Sequence, residues 1–214
     1  FDDFYEKLRD NRVLEQWHWS EKNKMFCDKG LNSEDVELVV DTLPNGHQIA
    51  VRRVNRPPVY GCVANRGYVM LFPLIMKLLD ANNSKLAAIL DDIEDPKRLW
   101  SPYGLRSISR SDFYYGKFNT LSDGPYWRGP VWINLNFLVL RALHHYAAVD
   151  GPYRERSRTV YAKLRSNLIH NMLAEYKRSG YVWEQYSDRS GTGQGTYPFT
   201  GWSALIVRIM GERY

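Results

Sequence analysis

The stretch Val131 to Val149 carries Trp132, Ile133, Leu135, Phe137, Leu138, Leu140, Leu143 and Tyr146 at helical spacing, so apolar side chains cover most of the circumference. A helix apolar on nearly every side must be enclosed by other elements, which calls for a layered, multi-helix body. Gly67 to Asp80 reads the same way, through Val69, Met70, Phe72, Pro73, Ile75, Met76, Leu78 and Leu79.

Other segments alternate with these. Lys85 to Glu94 forms one face from Leu86, Ile89, Leu90 and Ile93, with Ser84 as the expected cap and Pro96 as the stop. Tyr153 to Lys177 repeats Val160, Leu164, Leu168, Met172 and Tyr176 against Arg and Lys, which predicts an amphipathic, peripheral helix ending at Gly180. A fifth helix is expected from Gly201 to Glu212. His18-Trp19 and Met25-Phe26-Cys27 read as a small β-hairpin and Gln48 to Val54 as an extended segment, so residues 15–60 read as irregular or β decoration on a helical body.

Large rings collect in the connections. Leu99 to Ser107, Gly124 to Trp132 and Tyr181 to Arg189 are rich in Trp and Tyr, where exposed loops normally favour small polar residues. Three such loops point to one shared pocket at an end of the body. In the third, Glu184 stands among Tyr181, Trp183 and Tyr186, ahead of Gly191, Gly193 and Gly195. Aromatic faces pack on the C–H faces of a pyranose, and a carboxylate among them can take a proton from water. The alternative is an ordinary acid beside core rings. Arg128 and Arg106 each have a fork suited to adjacent hydroxyls, or to pairing with a buried acid.

Composition removes several classes. The 29 Lys and Arg are scattered among 24 Asp and Glu, giving +5 with no basic run, which argues against nucleic acid. The adjacent pair His144-His145 points in directions about 100° apart on a helix and cannot chelate together. No metal-ligand spacing, nucleophile elbow, phosphate loop or dinucleotide fingerprint is present, so neither metal nor cofactor is expected. No apolar run reaches the roughly 20 residues of a spanning helix. Cys27 and Cys62 could form a bridge or sit as small buried hydrophobes. Asn82-Asn83-Ser84 is a glycosylation sequon in an expected helix–helix loop.

Three motifs in one order, Trp100-Ser101-Pro102-Tyr103-Gly104-Leu105-Arg106-Ser107, Tyr126-Trp127-Arg128-Gly129-Pro130-Val131-Trp132 with Asn134 and Asn136, and Trp183-Glu184-Gln185-Tyr186, together with Pro198-Phe199-Thr200-Gly201-Trp202, resemble the C-terminal catalytic region of the mannosyl-oligosaccharide glucosidases of glycoside hydrolase family 63. The resemblance implies a mainly α (α/α)6 toroid of which this chain, residues 1–214, supplies about half. It implies an inverting exo-α-glucosidase that removes the terminal α-1,2-linked glucose from the N-glycan precursor in the endoplasmic reticulum lumen, without a cofactor. By position Glu184 matches the general base, and Trp100, Tyr103, Arg106, Tyr126, Trp127, Arg128, Trp132 and Asn134 are expected to line the glucose pocket.

The general acid is expected in a segment upstream of residue 1, and Asp123 is the one acid within the chain to watch. The missing N-terminal part of the same enzyme is therefore the expected partner. About five helices cannot close a twelve-helix toroid, so the apolar stripes of 67–80 and 131–149 are expected to face water in the chain alone, leaving it unstable and inactive. A glycan-binding helical module without turnover, or a plain scaffold, is the alternative.

Overall fold

The computed structural model describes residues 1–33, 35–120 and 124–214; Asp123 lies outside them. The chain opens with two short helices, α1 (Asp2–Arg9) and α2 (Asn11–His18), the second capped by the Asp10 carboxylate on the Arg12 amide. A hairpin follows from β1 (Trp19–Ser20) and β2 (Met25–Phe26). Expected as decoration, it instead supplies core: Met25, Phe26 and Cys27 are all buried.

Residues 29–62 then form an antiparallel arm. At its base β3 (Lys29–Asn32) pairs with β6 (Val59–Cys62), and further out β4 (Val36–Thr42) pairs with β5 (Gln48–Val54). A Cys27–Cys62 disulfide closes the base. The strand at Gln48–Val54 was legible, but its partner was not, because Leu38 and Val40 stay exposed and give no core-facing alternation.

The continuous helix expected over 67–80 does not form. Tyr68–Leu71 is a 3-10 turn leading into the four-residue α3 (Phe72–Ile75), and Lys77, at φ +56, ends any helical run. Only one side of this segment is buried. Tyr68, Met70, Leu71, Leu74 and Ile75 point inward, while Val69, Phe72 and Met76 are exposed.

Helix α4 (Lys85–Glu94) forms as expected, with a different cap: Ser84 makes no side-chain cap bond, and the Asn83 side chain accepts from the Lys85 amide at 2.8 Å. Its Asp92, almost fully buried, receives Arg66 and Arg98, each at 2.5 Å, and so ties two connections to the helix. Next come β7 (Trp100–Ser101) and β8 (Gly104–Leu105), a tight hairpin.

The centre is α5 (Ile133–Ala148), packed against α6 (Arg154–Ser179), which ends at Gly180. Val139, Leu140, Ala142 and Leu143 have no exposure, and burying each of the larger ones contributes about 1.5–3 kcal/mol. Apolar side chains cover so much of α5 that it needs neighbours on several sides. It finds them in α6, in α3 and in the 3-10 turn Trp202–Leu205. The expectation that the 131–149 stripe faces water therefore fails, and exposed apolar surface remains on the 69–76 segment. After β9 (Gln185–Tyr186) and β10 (Gly193–Gln194), the expected fifth helix is split into that 3-10 turn and α7 (Ile206–Met210). Among the described residues no helix is long and apolar enough to cross a membrane.

Candidate active site

Backbone bridges stitch the three aromatic loops side by side. Arg106 pairs with Val131, and Val131 in turn pairs with Tyr186 through bonds of 2.8 and 3.0 Å. A buried hydroxyl anchors this seam: Tyr68 donates to the Leu105 carbonyl at 2.6 Å and accepts from the Trp132 amide and the Asn136 side chain. Burial pushes that phenol's pKa up, so it stays a neutral donor and acceptor.

Beside the seam lies a cleft of about 980 Å3, lined among others by Tyr115, Tyr126, Arg128, Gln185, Asp188 and Gly195. Glu184, 8% exposed, lies behind that lining, next to Gln185 and bonded to Tyr126. Its Oε1 accepts from the Tyr126 hydroxyl, and its Oε2 accepts from the Thr196 amide at 3.1 Å. Burial raises the carboxyl's pKa, but the Tyr126 hydroxyl and the Thr196 backbone and side chain outweigh it, so the net shift is downward and Glu184 is ionised at neutral pH. The same bond, helped by burial, pushes the Tyr126 hydroxyl up to about 12, so it keeps the proton it donates.

Gly195 fixes where this carboxylate can be. Its φ is +75, and a Cβ there would stand 2.5 Å from Glu184 Oε2. On the other side the Trp202 indole donates to the Glu184 carbonyl at 2.7 Å.

The aromatic residues divide into wall and backing. Tyr126 faces the cleft, and behind it Trp127 and Trp132 stack at 3.6 Å with planes 9° apart. Trp132 has no exposure and donates to the Tyr126 carbonyl, so it supports the wall without reaching the cleft. Trp127 opens instead on a neighbouring apolar depression of about 460 Å3 with Tyr68 and Leu135.

Arg106, expected as a pocket residue, is 4% exposed and turned to structure. Its Nε donates to Asp188 Oδ2 at 2.7 Å, and its Nη1 holds the carbonyls of Pro96, Arg98 and Trp100. Arg128 does line the cleft, with its fork on the Phe118 carbonyl at 2.7 Å. Trp100 and Tyr103 lie in two shallower depressions along α6, and the Asn134 Oδ1 is occupied by the adjacent Leu135 amide. Of the expected pocket residues, then, Tyr126 and Arg128 line the cleft, Glu184 lies behind it bonded to Tyr126, and Trp100, Tyr103, Arg106, Trp127, Trp132 and Asn134 are outside its lining.

Three cleft residues escaped sequence reasoning. Asp188 also accepts from the Tyr115 hydroxyl at 2.6 Å, and Gln185 is nearly buried with no partner for its Oε1. Asp188 and Gln185 stood within the third aromatic motif, but nothing in the sequence tied Asp188 to Tyr115 and Arg106, 73 and 82 positions away. Among the described residues no group of three or more His, Cys, Asp or Glu could hold a metal ion.

An acid-and-aromatic cleft on a mainly helical body marks a carbohydrate-active domain. The chain belongs to glycosyl hydrolase family 63, whose C-terminal domain model matches residues 1–212. It is 42% identical over 213 residues to the mannosyl-oligosaccharide glucosidase GCS1 of Arabidopsis thaliana, covering 97% of this chain and 25% of that protein. It is 41% identical to alpha-glucosidase 2 of the same plant, covering 97% of this chain and 27% of the relative. To the mannosyl-oligosaccharide glucosidase of Saccharomyces cerevisiae it is 34% identical, covering 93% and 21%. The chain thus spans about a quarter of the length of these relatives. The crystal structure of a family 63 mannosylglycerate hydrolase from Thermus thermophilus, in complex with glucose, superposes with a TM-score of 0.56 at 20% identity, over 94% of this chain and 38% of that one. That likeness concerns the fold alone.

Proposed function

We propose that this chain is the C-terminal part of an inverting α-glucosidase that trims the terminal α-1,2-linked glucose from the N-glycan precursor, with Glu184 as general base. One observation carries the reading: a buried, ionised carboxylate is held by the neutral donors Tyr126 and Thr196 directly behind the lining of a large cleft, which Tyr126 itself forms. Each carboxylate oxygen keeps a lone pair beyond the bond it already accepts, which leaves Glu184 able to take the proton of an attacking water. As that water's oxygen bonds to the anomeric carbon, its proton passes to Glu184 and the glycosidic C–O bond breaks. The departing oxygen takes a proton from an acid on the opposite face, roughly 6.5–9.5 Å away in inverting enzymes. We assign that acid to polypeptide outside residues 1–214, and with it the remaining helices of an (α/α)6 toroid.

Tyr126 and Arg128 are the side chains we assign to the sugar, as a ring for its apolar face and a fork for its hydroxyls. The names of the relatives, the Cys27–Cys62 disulfide and the exposed sequon residue Asn82 support a place in the secretory pathway, in the endoplasmic reticulum lumen. The test is glucose release from triglucosylated N-glycan by the full-length protein and its Glu184→Gln variant. The amide keeps shape and glycan binding but accepts no proton, so turnover should collapse while binding persists. Near-wild-type release from the variant would remove Glu184 from the mechanism.

A further inference from the structure

Arg189 follows Asp188 directly on the hairpin and is exposed in the lining of the cleft. Its guanidinium is held from one edge only. The Nε donates to the Tyr115 hydroxyl at 3.3 Å, and the guanidinium carbon lies 5.4 Å from the centre of the Tyr115 ring. Tyr115 is itself fixed, because the same hydroxyl donates to Asp188 Oδ2 at 2.6 Å and Asp188 is tied in turn to the buried Arg106. The backbone beside it is pinned as well. The Gly116 amide, at φ +69, donates to the Arg128 carbonyl at 2.7 Å, and a Cβ placed on Gly116 would stand 3.7 Å from Arg189 Nη2.

The other edge of the guanidinium is unused. Among the described residues neither Nη1 nor Nη2 of Arg189 has a hydrogen-bond or ion-pair partner, and the neighbouring acid, Asp188, is already taken by Arg106 and Tyr115. Arg128, the second fork in the lining, is committed differently: its Nη1 lies on the Lys117 and Phe118 carbonyls. An arginine anchored at Nε has already lost part of the rotamer freedom that binding would otherwise cost, so its open edge is prepared for a ligand.

That edge presents four N–H donors in one plane, spaced for two oxygens side by side. Adjacent hydroxyls of a pyranose offer that pair. A carboxylate or phosphate would too, but the ionised Glu184 behind the same lining disfavours a second anion in the cleft. We propose that Arg189 is a specificity-determining residue of this cleft, binding two adjacent saccharide hydroxyls through Nη1 and Nη2 in a position that Tyr115 fixes. The inference rests on the reading that the cleft takes a glycan, and it does not depend on which group is the base.

The test is steady-state glucose release from triglucosylated N-glycan by the full-length wild type and its Arg189→Ala, Arg189→Lys and Glu184→Gln variants. Arg189→Ala removes two hydrogen bonds from a charged donor, so KM should rise about tenfold or more while kcat stays within about twofold. Its Tm should be unchanged, since the side chain is exposed. Arg189→Lys keeps the charge without the fork and should raise KM almost as far. An unchanged KM in Arg189→Ala, or a wild-type KM in Arg189→Lys, would overturn the assignment. The two readings fail separately. Lost turnover in Glu184→Gln beside an unchanged KM in Arg189→Ala would sink Arg189 alone, whereas normal release by Glu184→Gln beside a raised KM in Arg189→Ala would sink only the base. A wild type that releases no glucose from this glycan would overturn both.

Discussion

Two buried carboxylates four residues apart, Asp188 lining the cleft and Glu184 just behind its lining, are held in opposite ways. Glu184 rests on the neutral donors Tyr126 and Thr196, whereas Asp188 is paired with the buried cation Arg106 and bonded to Tyr115. Neutral donors stabilise the charge without cancelling it, so Glu184 still attracts a proton. A guanidinium cancels the charge of its partner, and Asp188 becomes a fastening, through Arg106, for the 96–100 connection and its three carbonyls. One short hairpin therefore carries both the carboxylate we propose as the base and the clamp that fixes its surroundings.

The largest effect expected from this contrast is on turnover. In the full-length enzyme Glu184→Gln should lower kcat by about 10²–10⁴-fold, the usual worth of a positioned acid or base, with little change in Tm. Asp188→Ala should reverse the pattern by leaving Arg106 buried without its counter-ion. A stability loss of about 3–5 kcal/mol is expected in denaturant melts. If Asp188→Ala melted like the wild type while Glu184→Gln melted early, the two roles would have to be exchanged.

Smaller changes sharpen the same distinction. Gly195→Ala would force the Glu184 carboxylate aside, and a displacement of about 1 Å can cost on the order of 100-fold in kcat. A crystal structure of that variant with Glu184 unmoved would refute this account of Gly195. The mildest expected change is Tyr126→Phe. Removing the hydroxyl leaves burial, which raises the carboxyl's pKa, without its largest opponent. The stability and activity that depend on ionised Glu184 are complete above the ordinary carboxylate pKa of about 4.3 and vanish as pH falls through the lowered folded value. In Tyr126→Phe the acidic limb of kcat/KM should therefore move to higher pH, and an unmoved limb would assign that limb to another group.

The segments that could be read directly were long and strongly patterned. Lys85–Glu94, Ile133–Ala148 and Arg154–Ser179 lie within a few residues of their expected bounds because a 3.6-residue period sustained over ten or more positions admits few other structures. Gly67 to Asp80 carried as many apolar residues and still broke into a 3-10 turn and one turn of α-helix. Its pattern reported burial correctly for Met70, Ile75 and Leu79, but the backbone was decided by the positive φ at Lys77 and by the pairing of Gly67 with Ile108. The arm of residues 29–62 left little trace, since a two-stranded ribbon with apolar side chains exposed on it lacks the in–out alternation that marks a sheet.

By itself the sequence determined that Val131 to Val149 must be enclosed and that the aromatic loops would gather, with Glu184 among their rings. Those features are local: they depend on residue type and on spacing within one turn or one loop. Tertiary structure alone decided that Arg106 serves Asp188 rather than a ligand, that Trp132 backs the wall while Tyr126 forms it, and that Tyr103 faces α6. The roles of Arg106 and Tyr103 depend on partners brought from tens of positions away and that of Trp132 on how deeply it is buried, and charge pairing and burial act on distance in space, which the order of residues along the chain does not contain.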